Sequence, residues 1–411
     1  MAKESKNLVV ALDIGTSKVA CLVTEVGPDG ALDILGMGSH ESKGLKKGVV
    51  VNIEATVAAI QRALEEAELM ADCKITSAYV GIAGSHIRSF NSTGMVAVKD
   101  REVGVLDVDR ALETARAVNI PTDQQILHVL RQEFIIDGQE DVREPIGMSG
   151  VRLEVEVHVV TAAVASVQNV IRSVNRAGLT VHDVVLEPIA SAEAVLYPDE
   201  RELGVLVIDI GGGTTDLAML RDGAVWHTAI LPLGGDHITN DIAVGLRTPM
   251  ADAEALKKRH GCALTALVPA EETVDVPSVG GRKPRQLSRQ VLSEIIQPRV
   301  EEIFTLVARE LTRAGFQDAA TAGVVVTGGS SIMQGVPELA ESVFDQPVRR
   351  GVPFSLGGLA EVVQSPMYAT GVGLALYGAR RQQPATTWSD TSGAGLGHWG
   401  RRLMGWLSEV L

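Results

Sequence analysis

The chain has 411 residues, 45% of them hydrophobic and 21% charged, a globular composition too long for one ordinary core. Its formal net charge of −14 argues against bulk nucleic-acid binding, though not against a local basic patch. The three isolated cysteines, Cys21, Cys73 and Cys262, form no disulfide framework or zinc spacing, and no run of about 18 apolar residues is present to span a membrane.

Aromatic residues make up only 3% of the chain, so Val, Ile, Leu and Ala must build the core. With no signal-peptide core at its start, the chain is expected in the cytoplasm unless its tail attaches it to a surface. Residues 8–38 and 204–235 resemble each other: an apolar strand ending in Asp-Ile-Gly, a small-residue turn, a second strand, then a polar Asp-Gly turn into a third. Asp13 and Asp209 hold matching places, which predicts two homologous halves facing each other across a cleft. Between the repeats, residues 54–71 predict a helix with Val57, Ile60, Leu64 and Leu69 on one face. Residues 83–162 interrupt the first half as a small α/β subdomain. A helical pattern at 164–177 precedes a strand and the small-residue helix "EPIASAEAVL". Residues 266–287 carry short β-like pieces of a second insertion, and 288–314 read as a long helix kinked or broken at Pro298. Strand, glycine turn and helix follow in "AGVVVTGGSSIMQGVPELAESVF". The alternation specifies α/β architecture in both halves.

"DIGGGTTD" carries the strongest chemistry. A strand ending in Asp before Gly211, Gly212 and Gly213 turns backbone N–H groups toward an anion, and Thr214 and Thr215 add hydroxyls. Gly15, Thr16, Ser17 and Lys18 form the matching turn. Alone, "DIGTS" is equally a tight glycine hairpin; the pair in matching context reads as a phosphate cradle. Asp13 and Asp209 would present carboxylates to one hydrated Mg²⁺. Gly328, Gly329 and Ser330 end a third strand, and Gly234 and Gly235 open a helix whose N-terminus would face phosphate.

Together these residues resemble the actin-like ATPase superfamily over residues 8–378. The resemblance implies ATP and Mg²⁺ as ligands, held in a cleft between two ribonuclease H-like halves, each with an inserted small subdomain. It maps the first core subdomain to 1–82, 163–195 and 366–380, and its insertion to 83–162. The second core subdomain maps to 196–235 and 300–365, with its small subdomain at 236–299. It implies that Asp13–Lys18 and Asp209–Asp216 grip the phosphates and that Gly328, Gly329, Ser330 and Met333 approach adenosine. Glu254 and Lys257 would border the ribose, and Glu187 would orient the attacking water; each of these last three is also readable as a helix-end or solvated residue. With one such Glu and no evident arginine finger, turnover would be slow at most, the nucleotide mainly setting conformation.

Residues 381–396 are polar and linker-like. At about 100° per residue, Trp399, Leu403, Trp406, Leu407 and Val410 fall on one stripe, opposite Arg401 and Arg402. Residues 397–411 thus read as an interfacial helix for an anionic membrane surface; packing on the body or on a partner protein is the alternative. Five buried apolar side chains at about 1.5–3 kcal/mol each stand against an ordering cost of about 1–2 kcal/mol for each of some fifteen residues, which helical hydrogen bonds offset only in part. One tail binds weakly; a row of tails binds firmly.

A sugar kinase would have no use for such a tail, and an Hsp70-type chaperone would be expected to continue into a further domain. The motif order, the insertion and the tail resemble the FtsA family of bacterial cell-division proteins. That resemblance implies homopolymers that tether the FtsZ ring to the inner membrane and recruit later division proteins through residues 83–162. It places the FtsZ C-terminal tail near Arg285 and Arg299, where a solvated basic loop is the plainer reading.

Overall fold

The computed structural model describes residues 7–27, 30–280 and 282–382. The first half has five strands, β1 (Leu8–Ile14), β2 (Lys18–Val26), β3 (Leu32–Glu41), β4 (Ser77–Ile82) and β5 (Thr180–Leu186), of which β1, β2 and β4 run through near-continuous apolar sequence. They lie in the order β5-β4-β1-β2-β3, with the short strand Leu356–Gly358 added beside β3. The first three form an antiparallel meander, and β4 and β5 join in parallel. Covered on both faces, β1, β2 and β4 need no polar alternation.

The second half repeats the plan. Its strands are β6 (Val205–Ile210), β7 (Thr215–Arg221), β8 (Ala224–Leu231), β9 (Val324–Thr327) and β10 (Val348–Arg350). Their order is β8-β7-β6-β9-β10, the first half's order element for element. Between the sheets, the helices Glu187–Val195 and Ala369–Gln382 cross. Their small residues pack in one core with Val9 and Leu22 of the first half and Val207 and Ala218 of the second.

The insertion has its own sheet, ordered Arg88–Ala97, Arg152–Ala163, Gln124–Ile136 and Gln139–Val142. The helix Val105–Arg116 packs on it over a separate core around Phe134, Leu153 and Val157. The insertion also reaches the second half and covers its edge strand β8. Ser89 Oγ donates to the Thr228 carbonyl (2.7 Å), and Gln132 Nε2 donates to the carbonyls of Val225 (3.2 Å) and Trp226 (3.1 Å). His158 bridges Asn91 and the Thr228 hydroxyl at 2.7 and 2.9 Å.

Two expectations need correcting. Leu69 is 85% exposed, and the buried stripe of the helix Ile53–Ala71 is Val57, Ala59, Ile60, Ala63 and Ala67. The β3 backbone presses on that stripe at Gly36 and Gly38, leaving room only for small side chains. Pro298 does not break its helix, which runs from Arg289 to Ala314 with Leu292, Ile296, Val300, Phe304, Val307 and Leu311 all buried. An apolar stripe held in one core on both sides of the proline outweighs the one backbone hydrogen bond it removes. The helix therefore crosses the 299/300 boundary expected between subdomains. Before it, the helices Gly235–Leu246 and Met250–His260 and the hairpin Thr273–Val276 with Arg285–Ser288 complete the second small unit. Among the described residues, no helix is long and apolar enough to cross a membrane. Residues 397–411, and with them Trp399, Arg401, Arg402, Leu403, Trp406, Leu407 and Val410, lie outside the described residues.

Candidate nucleotide cleft

The duplication places two identical turns face to face. In β1–β2 the last paired residues are Ile14 and Val19; in β6–β7 they are Ile210 and Thr215. Each pair leaves a four-residue loop closed the same way. Gly15 N–H donates to the Lys18 carbonyl (2.9 Å), and Gly211 N–H to that of Thr214 (3.0 Å). Among the described residues, no protein acceptor takes the amides of Thr16, Ser17, Gly212 or Gly213. The loops approach so closely that a Cβ on Gly212 would strike the Ser17 hydroxyl, and one on Gly213 would sit 2.5 Å from the Thr16 hydroxyl. Glycine is required there for close approach.

These loops line a cavity of ≈ 420 Å³ together with Asp13, Glu187, Asp209, Thr214, Asp216, Glu254, Lys257, Gly328, Gly329, Ser330 and Met333. Such a volume suits a small-molecule ligand. The third loop is tied in by Ser330 Oγ, which donates to the Gly211 carbonyl (3.2 Å). Lys257 Nζ is buried, donating to the Gly235 carbonyl (2.9 Å) and the Thr239 hydroxyl (2.8 Å) and pairing with Glu254 at 2.6 Å.

Three expected contacts lie elsewhere. Thr215 is the first residue of β7, and its hydroxyl donates to the Leu233 carbonyl (2.9 Å), because strand alternation turns it from the cleft. Gly234 and Gly235 do not line the cavity. The helix they open spends its first amides on the hairpin: Gly235 N–H donates to the Gly211 carbonyl (2.9 Å) and Asp236 N–H to that of Gly212 (2.8 Å). That helix end braces the loop rather than facing an anion. Arg299 is held by Asp241 (2.5 Å) and Glu302, and Arg285 donates to the Leu246 carbonyl.

The floor of the cleft is a carboxylate cluster. Asp13, Glu187, Asp209 and Asp216 are all at most 9% exposed, and Lys18, 3.2 Å from Asp13, is the only cation paired with any of them among the described residues. Burial first, then the neighbouring carboxylates, pushes Glu187 and Asp216 well above the usual carboxylate range. Burial also raises Asp209, opposed by hydrogen bonds from the Ser191 and Thr370 hydroxyls at 2.6 and 3.2 Å. Asp216 Oδ1 has no hydrogen-bond partner. This deficit of positive charge, with an orphaned carboxylate oxygen, fits a divalent cation. No three carboxylate, histidine or cysteine side chains among the described residues are grouped to ligate one directly.

The sequence offers Asp216 only as the end of the loop Asp209–Asp216, and it gives no individual signal for Ser191 or Thr370. Asp216 pairs directly across the strands with Asp209, so the hairpin register carries its signal. Ser191 and Thr370 are lone hydroxyls in small-residue helices, and only the crossing of those helices brings them to Asp209.

Family models match the chain twice: "Cell division protein FtsA" over residues 206–373 and "SHS2 domain inserted in FTSA" over residues 84–161. The curated cell division protein FtsA of Pseudomonas aeruginosa is 57% identical over 386 residues, covering 94% of this chain and 93% of that protein. The chain belongs to the FtsA family of cell division proteins. Solved structures extend the likeness to the actin-like ATPase fold. The PilM–PilN type IV pilus biogenesis complex aligns with a TM-score of 0.65 at 19% identity, over 92% of this chain and 99% of that one. MreB5 of Spiroplasma citri bound to ADP aligns with a TM-score of 0.52 at 16% identity, over 90% and 96%. The family's insertion accounts for residues 84–161, which stand apart from the duplicated core.

Proposed function

We propose that the chain is an ATP-binding scaffold of cell division. It assembles with its own kind, tethers the FtsZ ring to the cytoplasmic face of the inner membrane through residues 397–411, and recruits later division proteins through residues 83–162. The observation that carries the nucleotide reading is the pair of superposable turns with four free loop amides above four buried carboxylates.

The free amides of Thr16, Ser17, Gly212 and Gly213, with the ammonium of Lys18, hold phosphate oxygens. Met333 and the Glu254–Lys257 pair line the same cavity and bound the nucleoside. Asp13, Asp209 and Asp216 would hold Mg²⁺ through its waters, and the ion when bound supplies charge neutralisation of the phosphates. Glu187, with its proton affinity raised by burial, is placed to orient and deprotonate an attacking water. With no arginine of the described residues lining the cleft, turnover is slow and the nucleotide acts mainly on the angle between the halves. In the FtsZ-tail reading, Arg285 and Arg299 sit in a small unit whose exposed cations include Arg282 and Lys283, and Arg299 would exchange Asp241 for an acidic peptide.

The test is co-sedimentation with anionic liposomes, using the full chain and a chain ending at residue 396, with and without ATP. The full chain pellets, more with ATP than without; the truncated chain stays in solution and still binds ATP. Sedimentation unchanged by the truncation would refute the tether, and absence of ATP binding by either chain would refute the cleft assignment.

A further inference from the structure

A second cavity, of ≈ 400 Å³, shares no lining residue with the nucleotide cleft. Its walls come from the insertion (around Arg131 and Arg143), from the two crossing helices, and from the second half (Arg201, Glu202, Leu220 and Asp222–Val225). Five arginines and four carboxylates line it, and their pairing is uneven. Glu193 lies between Arg201 and Arg380 at 2.9 and 2.6 Å. Glu202 pairs with Arg143 at 2.6 Å, and Asp222 is taken by Arg221, which is outside the cavity, at 3.0 Å.

Arg131 and Arg381 are left without an ion pair among the described residues. Each lies over an aromatic ring, Arg131 on Phe134 at 5.2 Å and Arg381 on Tyr377 at 5.1 Å. Arg381 also donates to the Tyr377 hydroxyl (2.8 Å). Burial works against the charge on Arg131, and Glu144 offsets that only from beyond ion-pair distance. The cavity thus offers two guanidinium groups without an ion pair, Arg381 reaching Asp183 only through the Tyr377 hydroxyl, which donates to that carboxylate at 3.2 Å.

We propose that this cavity binds a small phosphate monoester, its phosphoryl group neutralised by Arg131 and Arg381. A phosphate monoester carries about two negative charges near neutral pH, enough to engage both guanidinium groups that lack an ion pair. Guanidinium forks suit phosphate oxygens bidentately. The concave shape and volume fit a metabolite better than an extended chain. Because the walls belong to the insertion and to both halves, the bound ligand favours the arrangement in which all three meet and so reports metabolite supply to the scaffold.

The test uses the full chain and glycerol phosphate as probe, titrated by calorimetry with and without saturating ATP. One-site saturable binding is expected both with and without ATP, weakened at least tenfold in both Arg131→Gln and Arg381→Gln. Arg131→Lys, which keeps the charge but loses the fork, should fall between. ATP affinity should match wild type in every variant, which shows that they are folded. Absence of saturable binding would overturn the proposal. So would binding that ATP abolishes and the substitutions leave alone, or capture of an acidic peptide by these arginines in place of glycerol phosphate.

Discussion

Replacing Gly373 with alanine tests whether the crossing helices set the floor of the cleft. A Cβ at position 373 would lie 1.7 Å from the Ala190 carbonyl oxygen and 2.9 Å from its Cα, where ordinary contact begins near 3.4 Å. Both obstacles are backbone, so no side chain can rotate away; the helices Glu187–Val195 and Ala369–Gln382 must move apart. Overpacking of this kind costs about 1–3 kcal/mol, and alanine returns up to about 1 kcal/mol of helix propensity. A net loss of about 1–2 kcal/mol corresponds to a melting temperature lower by roughly 1–2 °C in a chain of this length. One position along from Ala190 is Ser191, and one turn before Gly373 is Thr370; their hydroxyls are 3.0 Å apart and both reach Asp209. Separating the helices therefore also releases Asp209, and ATP affinity should fall several-fold. Thermal melting and a fluorescent-ATP titration read the two effects. A Gly373→Ala protein that melts and binds ATP like wild type would show that the crossing does not constrain the cleft.

Asp216→Asn should raise the melting temperature of the nucleotide-free protein while weakening Mg-ATP binding, because it removes a buried, uncompensated charge that a cation would use. Stability gained from neutral Glu187 and Asp216 is complete below their ordinary values of 4.5 and 3.8 and is lost as pH rises through their raised folded values. Nucleotide-free protein therefore loses this contribution from the ordinary carboxylate range upward, a slope that Glu187→Gln reduces in pH-dependent melting. His158 carries the opposite sign: burial depresses it from 6.5 to about 3, so its contribution is complete above 6.5 and drains as pH falls toward 3. At pH 5 the loss reaches about 2 kcal/mol, read as faster amide exchange in β8 and absent in His158→Gln. Lys257→Met removes the ammonium from the Gly235 carbonyl and from Glu254, and ATP affinity should drop about tenfold; an unchanged affinity would place Lys257 in a structural role alone.

The duplicated halves, the matching turns at Asp13 and Asp209 and the insertion between them were legible from residue order alone. Each is a local pattern: a strand period, a glycine turn, a break in the repeat. The same local reading erred where packing overrode it. Leu69 belonged to the apolar stripe by spacing, yet the close approach of β3 gave that face to alanines. Pro298 carried a kink-or-break signal, yet with buried residues on both sides the helix runs on through it unbroken. Thr215 looked like a second phosphate hydroxyl beside Thr214, and strand alternation turned it to Leu233.

The sequence by itself determined the α/β class, the twofold repeat and the anion-binding character of both hairpins, because turns and strand periodicity depend on neighbours along the chain. Only the tertiary structure decided which groups share the cleft: Asp216 beside Asp209, Ser191 and Thr370 joined across the crossing helices, and the amides of Gly235 and Asp236 spent on the hairpin. It alone also brought Arg131 and Arg381 to one cavity from positions 250 residues apart. Burial, charge deficit and hydrogen-bond satisfaction are properties of surroundings assembled from distant segments, and they exist only once the chain has folded.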